Sequence, residues 1–510
     1  MDKKTAILKV SLGVAFMVFF LWTFFSYVPF NMDELCSYHV IACNEYPLNK
    51  LNVFRERCDA CDLSVLKGPF VPLLTYSYVG SSAAAVYYPL FKLWRSPYSI
   101  RFLGLLFLAA QAFLLYKIFR LDLFFCFFFL LLFFPYAFQH MVDFGPKLLQ
   151  TTSIFLVLYL SRQWRLAAEA GSGSSWKYPA CIGALIFLGV WTKLAYFLVV
   201  PSILVLVAYT LFEGRGMRAF DLKQFKRGWL FLVLTAIVPS YILLNGVNRW
   251  GAKYAKIAEN GKFVPLFDLA GLRDHFIALS KFFTNPLQSA HVVFEVKETA
   301  TFAGIFFLVL MAGFFCFAVW RMFSSGKRVA FVVLNIALFF VALILMAYNQ
   351  NVWAMHHVAL AFPFLLLALF DIFSQCYKDK AMKIFLAVFI CSNLFFYGAL
   401  TQEKPFANSY PGLVRFNEFL SKGYSRDHVF VVIDWGMYYL KSLYGEKDQC
   451  VIYIDPFTEK DVPALKKILE TTNRRPMFIG RKDSFYTRGI AGHFTEVTPG
   501  FDVGPWAAWH

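Results

Sequence analysis

Long apolar blocks alternate with short polar segments along this chain. Blocks close to the ~20 residues that a membrane-spanning helix needs lie at 6–30, 98–117, 122–138, 148–161, 179–192, 194–212, 229–246, 300–320, 329–348, 355–374 and 384–400. The pattern predicts an α-helical polytopic membrane protein with about 11 transmembrane helices. The fifth and sixth blocks belong to one run, 178–212, that is too long for a single span and holds Lys193 near its middle. It reads as a short helix, a turn at Trp191-Thr192-Lys193 and a return helix.

The polar segments sort by charge. One alternate set carries Lys3 and Lys4; Lys117 and Arg120; Arg162, Arg165 and Lys177; Arg215, Arg218, Lys223, Lys226 and Arg227; Arg321, Lys327 and Arg328; and Lys378, Lys380 and Lys383, with few acids. The other set, 31–97, 139–147, 247–299 and 349–354, mixes both signs. Cytoplasmic loops collect Lys and Arg, so the first set and the amino terminus are expected inside. The second set and everything after Gln402 are then expected outside. The localisation expected is an integral, multi-pass protein of a bacterial inner or plasma membrane.

Composition agrees with this pattern. Of 510 residues, 59% are hydrophobic and 16% charged, against about a quarter charged in soluble domains. The net charge of +17 could suggest a nucleic-acid partner, but its placement on alternate loops makes it topological, and nucleic acid is set aside. The first block could also pass for a signal peptide. Its core is too long and no small-residue cleavage site precedes Asn31, so it reads as an uncleaved span.

Two outer segments, 31–97 and 247–299, are too long to be simple connectors. The first opens with NMDELCSYH, placing Asp33 and Glu34 where the first span ends. Acids near hydrocarbon are costly and are usually kept for function; the rival reading is a helix cap or an ion pair with Arg55 or Arg57. The same loop holds Cys36, Cys43, Cys58 and Cys61. On an oxidising face these suggest two disulfides with three possible pairings. Zinc is the alternative, because Cys58 and Cys61 form a CxxC, although the Cys36–Cys43 spacing is unusual for zinc. Cys126, Cys181, Cys316 and Cys391 fall inside apolar runs and read as packing residues. The stretch GPFVPLLTYSYVGSSAAAVYYPLFKLW reads as an interfacial helix or re-entrant segment, and 247–299 as short amphipathic helices on the outer surface.

After residue 400 the pattern changes. HVFVVID, QCVIYID and RPMFIG are short β-branched runs separated by the helical-looking GMYYLKSLYG and DVPALKKILETTN. This predicts a small soluble α/β domain over 401–510 with a parallel sheet, following a membrane domain over 1–400. Asp434 and Asp455 end strands and read as helix caps, with ligand binding as the alternative.

Taken in order, several short motifs resemble the membrane-embedded glycosyltransferases of the GT-C class, nearest to the branch of protein O-mannosyltransferases and the lipid A aminoarabinose transferase. They are Asp33-Glu34 opening the first outer loop, Asp143 in HMVDFGPK, Thr192-Lys193 in GVWTKLAYF, and the basic opening of HHVALAFPF at 356–364. Leu194 follows Thr-Lys where the family often has Gly. The resemblance implies transfer of a sugar from a polyprenyl-phosphate donor to an envelope lipid, glycan or protein acceptor, among membrane lipids.

The chemistry asks for specific groups. An acceptor hydroxyl or amine needs a carboxylate to orient it and take its proton. Asp33 is the candidate base, with Glu34 shaping the site and Asp143 as a further acid. The departing lipid phosphate gains charge, which fixed cations stabilise. Lys193, and after it Lys67, His356 and His357, lie in the expected outer layer. Lys and Arg suffice for a monophosphate, so no metal and no cofactor is expected. Bland rivals are a cap for Asp143, snorkelling for Lys193 and water-facing side chains for the histidines. A transporter or lipid flippase, and an assembly scaffold, are the alternative functions. No internal hydropathy repeat supports a transporter.

Overall fold

The structure is a computed structural model that describes residues 13–20, 74–76, 79–80, 97–133, 136–137, 147–170, 176–213, 222–253, 298–347, 358–376, 378–402, 427–433, 450–453, 462–472, 475–481, 499–503 and 506–509, with a few isolated positions. The chain divides into two compact units. One is built on residues 98–402; the other combines 403–510 with 17–76 and 84–97.

The helical unit contains α1 (Pro97–Phe119), α2 (Leu123–Leu132), α3 (Lys147–Glu169), α4 (Lys177–Thr192), a 3-10 segment (Leu194–Val199), α5 (Val200–Phe212), α6 (Leu222–Lys253), α7 (Glu298–Ser324), α8 (Ala330–Ala347), α9 (Phe362–Cys376) and α10 (Lys380–Gln402). Six stretches within these are long and apolar enough to cross a membrane: Arg101–Phe119, Ala195–Phe212, Lys226–Leu243, Ile305–Ser324, Ala330–Ala347 and Lys380–Gly398. The apolar helices Leu123–Leu132, Lys177–Thr192 and Phe362–Cys376 are shorter.

The unit is arranged as a membrane bundle. Large apolar side chains such as Val309, Trp320, Phe323, Tyr241 and Ile242 are exposed, while Gln111, Gln150, Thr151, Ser153, Ser161, Asn335 and Asn393 are buried. With no water in the hydrocarbon, polar side chains gain partners only inside the bundle. α3 carries the largest share of them. It packs against α4 and α5, α4 packs against α6, α8 against α9 and α7 against α10.

Many of the 62 phenylalanines find their place in one aromatic cluster. Phe129 stacks on Phe389 at 4.9 Å and meets Phe373 and Phe370 edge-on at 5.1 and 5.3 Å. Such edge and stacked pairs add to simple area burial.

Turns follow local chemistry. Between α1 and α2, Arg120 takes a left-handed φ of 56°, and Asp122 caps α2 by accepting from the Phe125 backbone N–H at 3.0 Å. Gly326, at φ 65°, makes the tight reversal from α7 to α8. Asp379 caps α10 through the Ala381 N–H at 3.0 Å and pairs with Arg321 at 3.2 Å. That backbone bond and then Arg321 hold its carboxyl below the ordinary carboxylate range.

In the second unit a five-stranded sheet has the order β4-β3-β5-β7-β6, where β3 is His428–Val432, β4 Cys450–Tyr453, β5 Arg475–Arg481, β6 Pro499–Val503 and β7 Trp506–Trp509. β3 pairs in parallel with both β4 and β5, the three runs read from the sequence. It is buried residue after residue from Val429 to Val432, as a strand covered on both faces is. α11 (Val462–Thr472) buries Val462 and Leu465. The β6–β7 hairpin adds two antiparallel strands that the sequence reading did not include, because PGFDVGPWAAW is rich in Gly and Pro.

Three local expectations change. α6 runs on through Lys253, so 247–253 continues a membrane helix and does not begin a surface one. In the stretch read as an interfacial helix or re-entrant segment, Leu74–Tyr76 (β1) and Val79–Gly80 (β2) are extended, while Val86, Pro89, Leu90 and Leu93 are helical. Cys126 is buried as expected, but Cys181, Cys316 and Cys391 are exposed. In a lipid-facing helix the outer surface is as apolar as the core, so an apolar run does not say which residues pack.

Candidate functional site

The direction of each helix is fixed by contacts along α3. Near its start, Gln150 Nε2 donates to the carbonyls of Gly189 and Lys193 at 2.9 and 3.0 Å. Near its end, Arg165 donates to the carbonyls of Thr210 and Glu213 at 3.2 and 3.3 Å. α5 therefore runs along α3 from the Lys193 end to the Arg165 end, α4 runs back the other way, and Lys193 is the point of reversal.

That reversal is tightly built. Lys193 is extended, with φ −157° and ψ 127°, and its N–H reaches the Gly189 carbonyl at 3.2 Å. Its own carbonyl accepts from Tyr196 N–H at 2.9 Å. The Tyr196 ring folds back over Gly189, where a Cβ would stand 2.3 Å from Cε1. The Tyr196 hydroxyl meets Ser153 Oγ at 2.7 Å. The result is a lysine at a helix break with only 4% of its surface exposed. Beside it, Thr192 is also buried and returns its hydroxyl to the Leu188 carbonyl at 2.6 Å.

Two more cations are buried at the same end of the bundle. Lys147 opens α3 and is 1% exposed; Arg101, early in α1, is 0% exposed. A polar ladder joins α1 to α3 there: Tyr136 Oη donates to Gln111 Oε1 at 2.7 Å, Gln111 Nε2 to Thr151 Oγ1 at 3.1 Å, and Thr151 Oγ1 to the Lys147 carbonyl at 2.8 Å. Arg162, about three turns further along α3 than Thr151, donates to the Ile118 carbonyl, so α1 and α3 run parallel and both begin at the Lys193 end. Gln150 Oε1, one turn into α3 from Lys147, is buried and accepts no hydrogen bond.

The opposite end of the bundle carries ion pairs and hydrogen bonds between helices. Arg165 pairs with Glu213 at 3.3 Å and Glu169 at 3.8 Å, and Asp371 accepts from Gln375 at 3.0 Å. This polar belt fastens helix ends.

Of the residues singled out in the sequence, Lys193 is placed at the buried reversal. Asp33, Glu34, Asp143, Lys67, His356, His357 and the four loop cysteines, Cys36, Cys43, Cys58 and Cys61, lie outside the described residues, as do Asp434 and Asp455. Among the described residues no group of three His, Cys, Asp or Glu side chains is gathered as a metal site. Sequence reasoning passed over Arg101, Lys147, Gln111 and Gln150. Arg101 did carry a signal, a charge four residues into α1 within an apolar run, SPYSIRFLGLL. Lys147, directly after Pro146, lay at the boundary of a span and looked like an ordinary flank.

No protein-family model matches the sequence, and no curated protein does. Among solved structures, the chain is similar to the Archaeoglobus fulgidus oligosaccharyltransferase in its apo form, with a TM-score of 0.43 and 11% identity, covering 95% of this chain and 71% of that one. The same enzyme tethered to an acceptor peptide gives a TM-score of 0.43 and 12% identity over 97% of this chain and 72% of that one. At these values the likeness carries no argument about activity, which rests on the residues.

Proposed function

We propose that this chain is an integral-membrane glycosyltransferase that moves a sugar from a polyprenyl-phosphate donor to a lipid, glycan or protein acceptor on the outer face of the membrane. The observation that supports it is the burial of Arg101, Lys147 and Lys193 at one end of the helical bundle. Fixed cations stabilise an anion that gains charge as a bond breaks. A lipid phosphate held at that depth is such an anion. The Gln150 oxygen beside Lys147 offers an acceptor for a sugar hydroxyl.

In this reading the acceptor O–H or N–H is oriented by Asp33, which takes its proton as the new bond to the anomeric carbon forms. The bond from that carbon to the phosphate oxygen breaks, and its electron pair stays on the phosphate. Lys193, with Lys147 and Arg101, stabilises the charge that develops there. Glu34 shapes the acceptor side, and Asp143, Lys67, His356 and His357 complete the mouth. The four loop cysteines close as two disulfides, and residues 401–510 form an extracytoplasmic domain.

Membranes containing the full-length chain, given a panel of lipid-linked sugars, are expected to release free polyprenyl phosphate together with a glycosylated acceptor. Donor that only changes leaflet, with no polyprenyl phosphate released, would establish the flippase alternative instead. The orientation is checked separately. Reporter domains fused after Lys380 and after Glu403 should give opposite signals, inside and outside, and equal signals would refute it.

A further inference from the structure

Three buried side chains recur at every third residue from the start of α3: Lys147, Gln150 and Ser153. Residues three apart on a helix are neighbours on one face. Two of the three grip the reversal at Lys193. Gln150 Nε2 donates to the carbonyls of Gly189 and Lys193 at 2.9 and 3.0 Å, the first inside α4 and the second just beyond it. Ser153 Oγ lies 2.7 Å from the hydroxyl of Tyr196, in the 3-10 segment that follows.

The Gln150 bonds are not needed to satisfy the backbone. The Gly189 carbonyl also accepts from Lys193 N–H at 3.2 Å, and the Lys193 carbonyl from Tyr196 N–H at 2.9 Å. What the amide adds is geometry. One nitrogen tied to two carbonyls holds the last turn of α4 and the extended Lys193 at set places against α3. The amide cannot turn over, because that would set Oε1 against both carbonyl oxygens. One step before Gln150 on the same face stands Lys147. Gln150 thus fixes the backbone of one buried cation relative to the helix that carries the other.

We propose that Gln150 is a positioning residue of the donor site: its amide holds Lys193 in the register with Lys147 at which both ammonium groups serve one phosphate. This rests on the donor reading above. Charges fixed before the ligand arrives need no ordering when it binds, so they act at full strength on the anion. Gln150 acts through Lys193 and needs no contact with the phosphate itself.

The test is a double-mutant cycle on the full-length protein in lipid nanodiscs. Its readout is affinity for undecaprenyl phosphate, which carries no sugar for the Gln150 oxygen to hold. Gln150→Met and Gln150→Leu, similar in size and unable to donate, are made in parallel, each alone and with Lys193→Ala, and melting temperatures certify each fold. Singly they should weaken binding about tenfold, the scale of one or two net hydrogen bonds. With Lys193→Ala they should change it by less than about twofold, because the group they position is gone. Ser161→Ala, which removes a buried hydroxyl further along α3, is the control for a merely softer helix and should bind as wild type. A loss that persists undiminished in the Lys193→Ala background, or wild-type affinity in the folded single variants, would overturn the proposal. Wild-type affinity in Lys193→Ala itself would instead bring down the donor reading, and the positioning role with it.

Discussion

Asp33→Asn is expected to lower sugar transfer by about 10²–10⁴, the usual range for general-base assistance, while donor binding stays at the wild-type level. The substitution keeps shape and removes only the charge, and the donor phosphate is held elsewhere. Lys193→Ala behaves differently. On the proposed reading it would contact a phosphate present in both ground and transition states, so donor affinity and turnover should fall together. Glu34→Gln should lie between wild type and Asp33→Asn. Measuring donor affinity and turnover separately at matched expression distinguishes these patterns. Wild-type turnover in a folded, inserted Asp33→Asn protein would reduce that carboxylate to a cap and move the base to Asp143.

The second large effect concerns the fold. A Cβ on Gly183 would meet Thr235 Oγ1 at 2.0 Å and the Leu232 carbonyl at 2.7 Å. α4 and α6 thus touch backbone to side chain, the close approach that small residues permit between membrane helices. The hydroxyl could move, but the carbonyl is backbone and cannot. Gly183→Ala should cost about 1–3 kcal/mol, as overpacking does, and Gly183→Val more, seen as a lower melting temperature in detergent and a lower yield of monodisperse protein. Thr235→Ala should rescue part of the loss, because it removes one of the two obstacles. A Gly183→Ala protein that melts with the wild type would show that α4 and α6 do not meet there.

How much of this was legible in the sequence depends on the residue. The helix break was visible at Lys193, because a charge in the middle of a long apolar run is a signal that needs no partner to be read. The three parallel strands were visible for a similar reason: Val429 to Val432 is continuously apolar. Lys147 and Arg101 were not recognised, since burial depends on neighbours distant in sequence, and a lysine after a proline looks the same whether it faces water or the bundle. Gln150 is the clearest loss. A glutamine among threonines gives no hint that its amide bridges two carbonyls some forty residues away. The exposed cysteines show the converse: periodicity separates core from surface only when the surroundings are polar, and around most of this bundle they are not.

The reversal at Lys193 also governs how the chain enters the bilayer. As a single helix, residues 178–212 would extend roughly 50 Å at 1.5 Å per residue, far more than the hydrocarbon is thick, with an ammonium at mid-depth costing about 2.5–3.5 kcal/mol even by the mildest insertion scales. The first half is short for a span of its own. α4 has 16 residues, about 24 Å by the same rise, and its partner begins as a 3-10 turn. Integration as one helical hairpin is the expected route, and on the proposed orientation the lysine at its tip would cross the hydrocarbon once, during synthesis. The residue proposed to hold substrate phosphate would thus also carry a cost in the biogenesis of the protein, met before any substrate is bound.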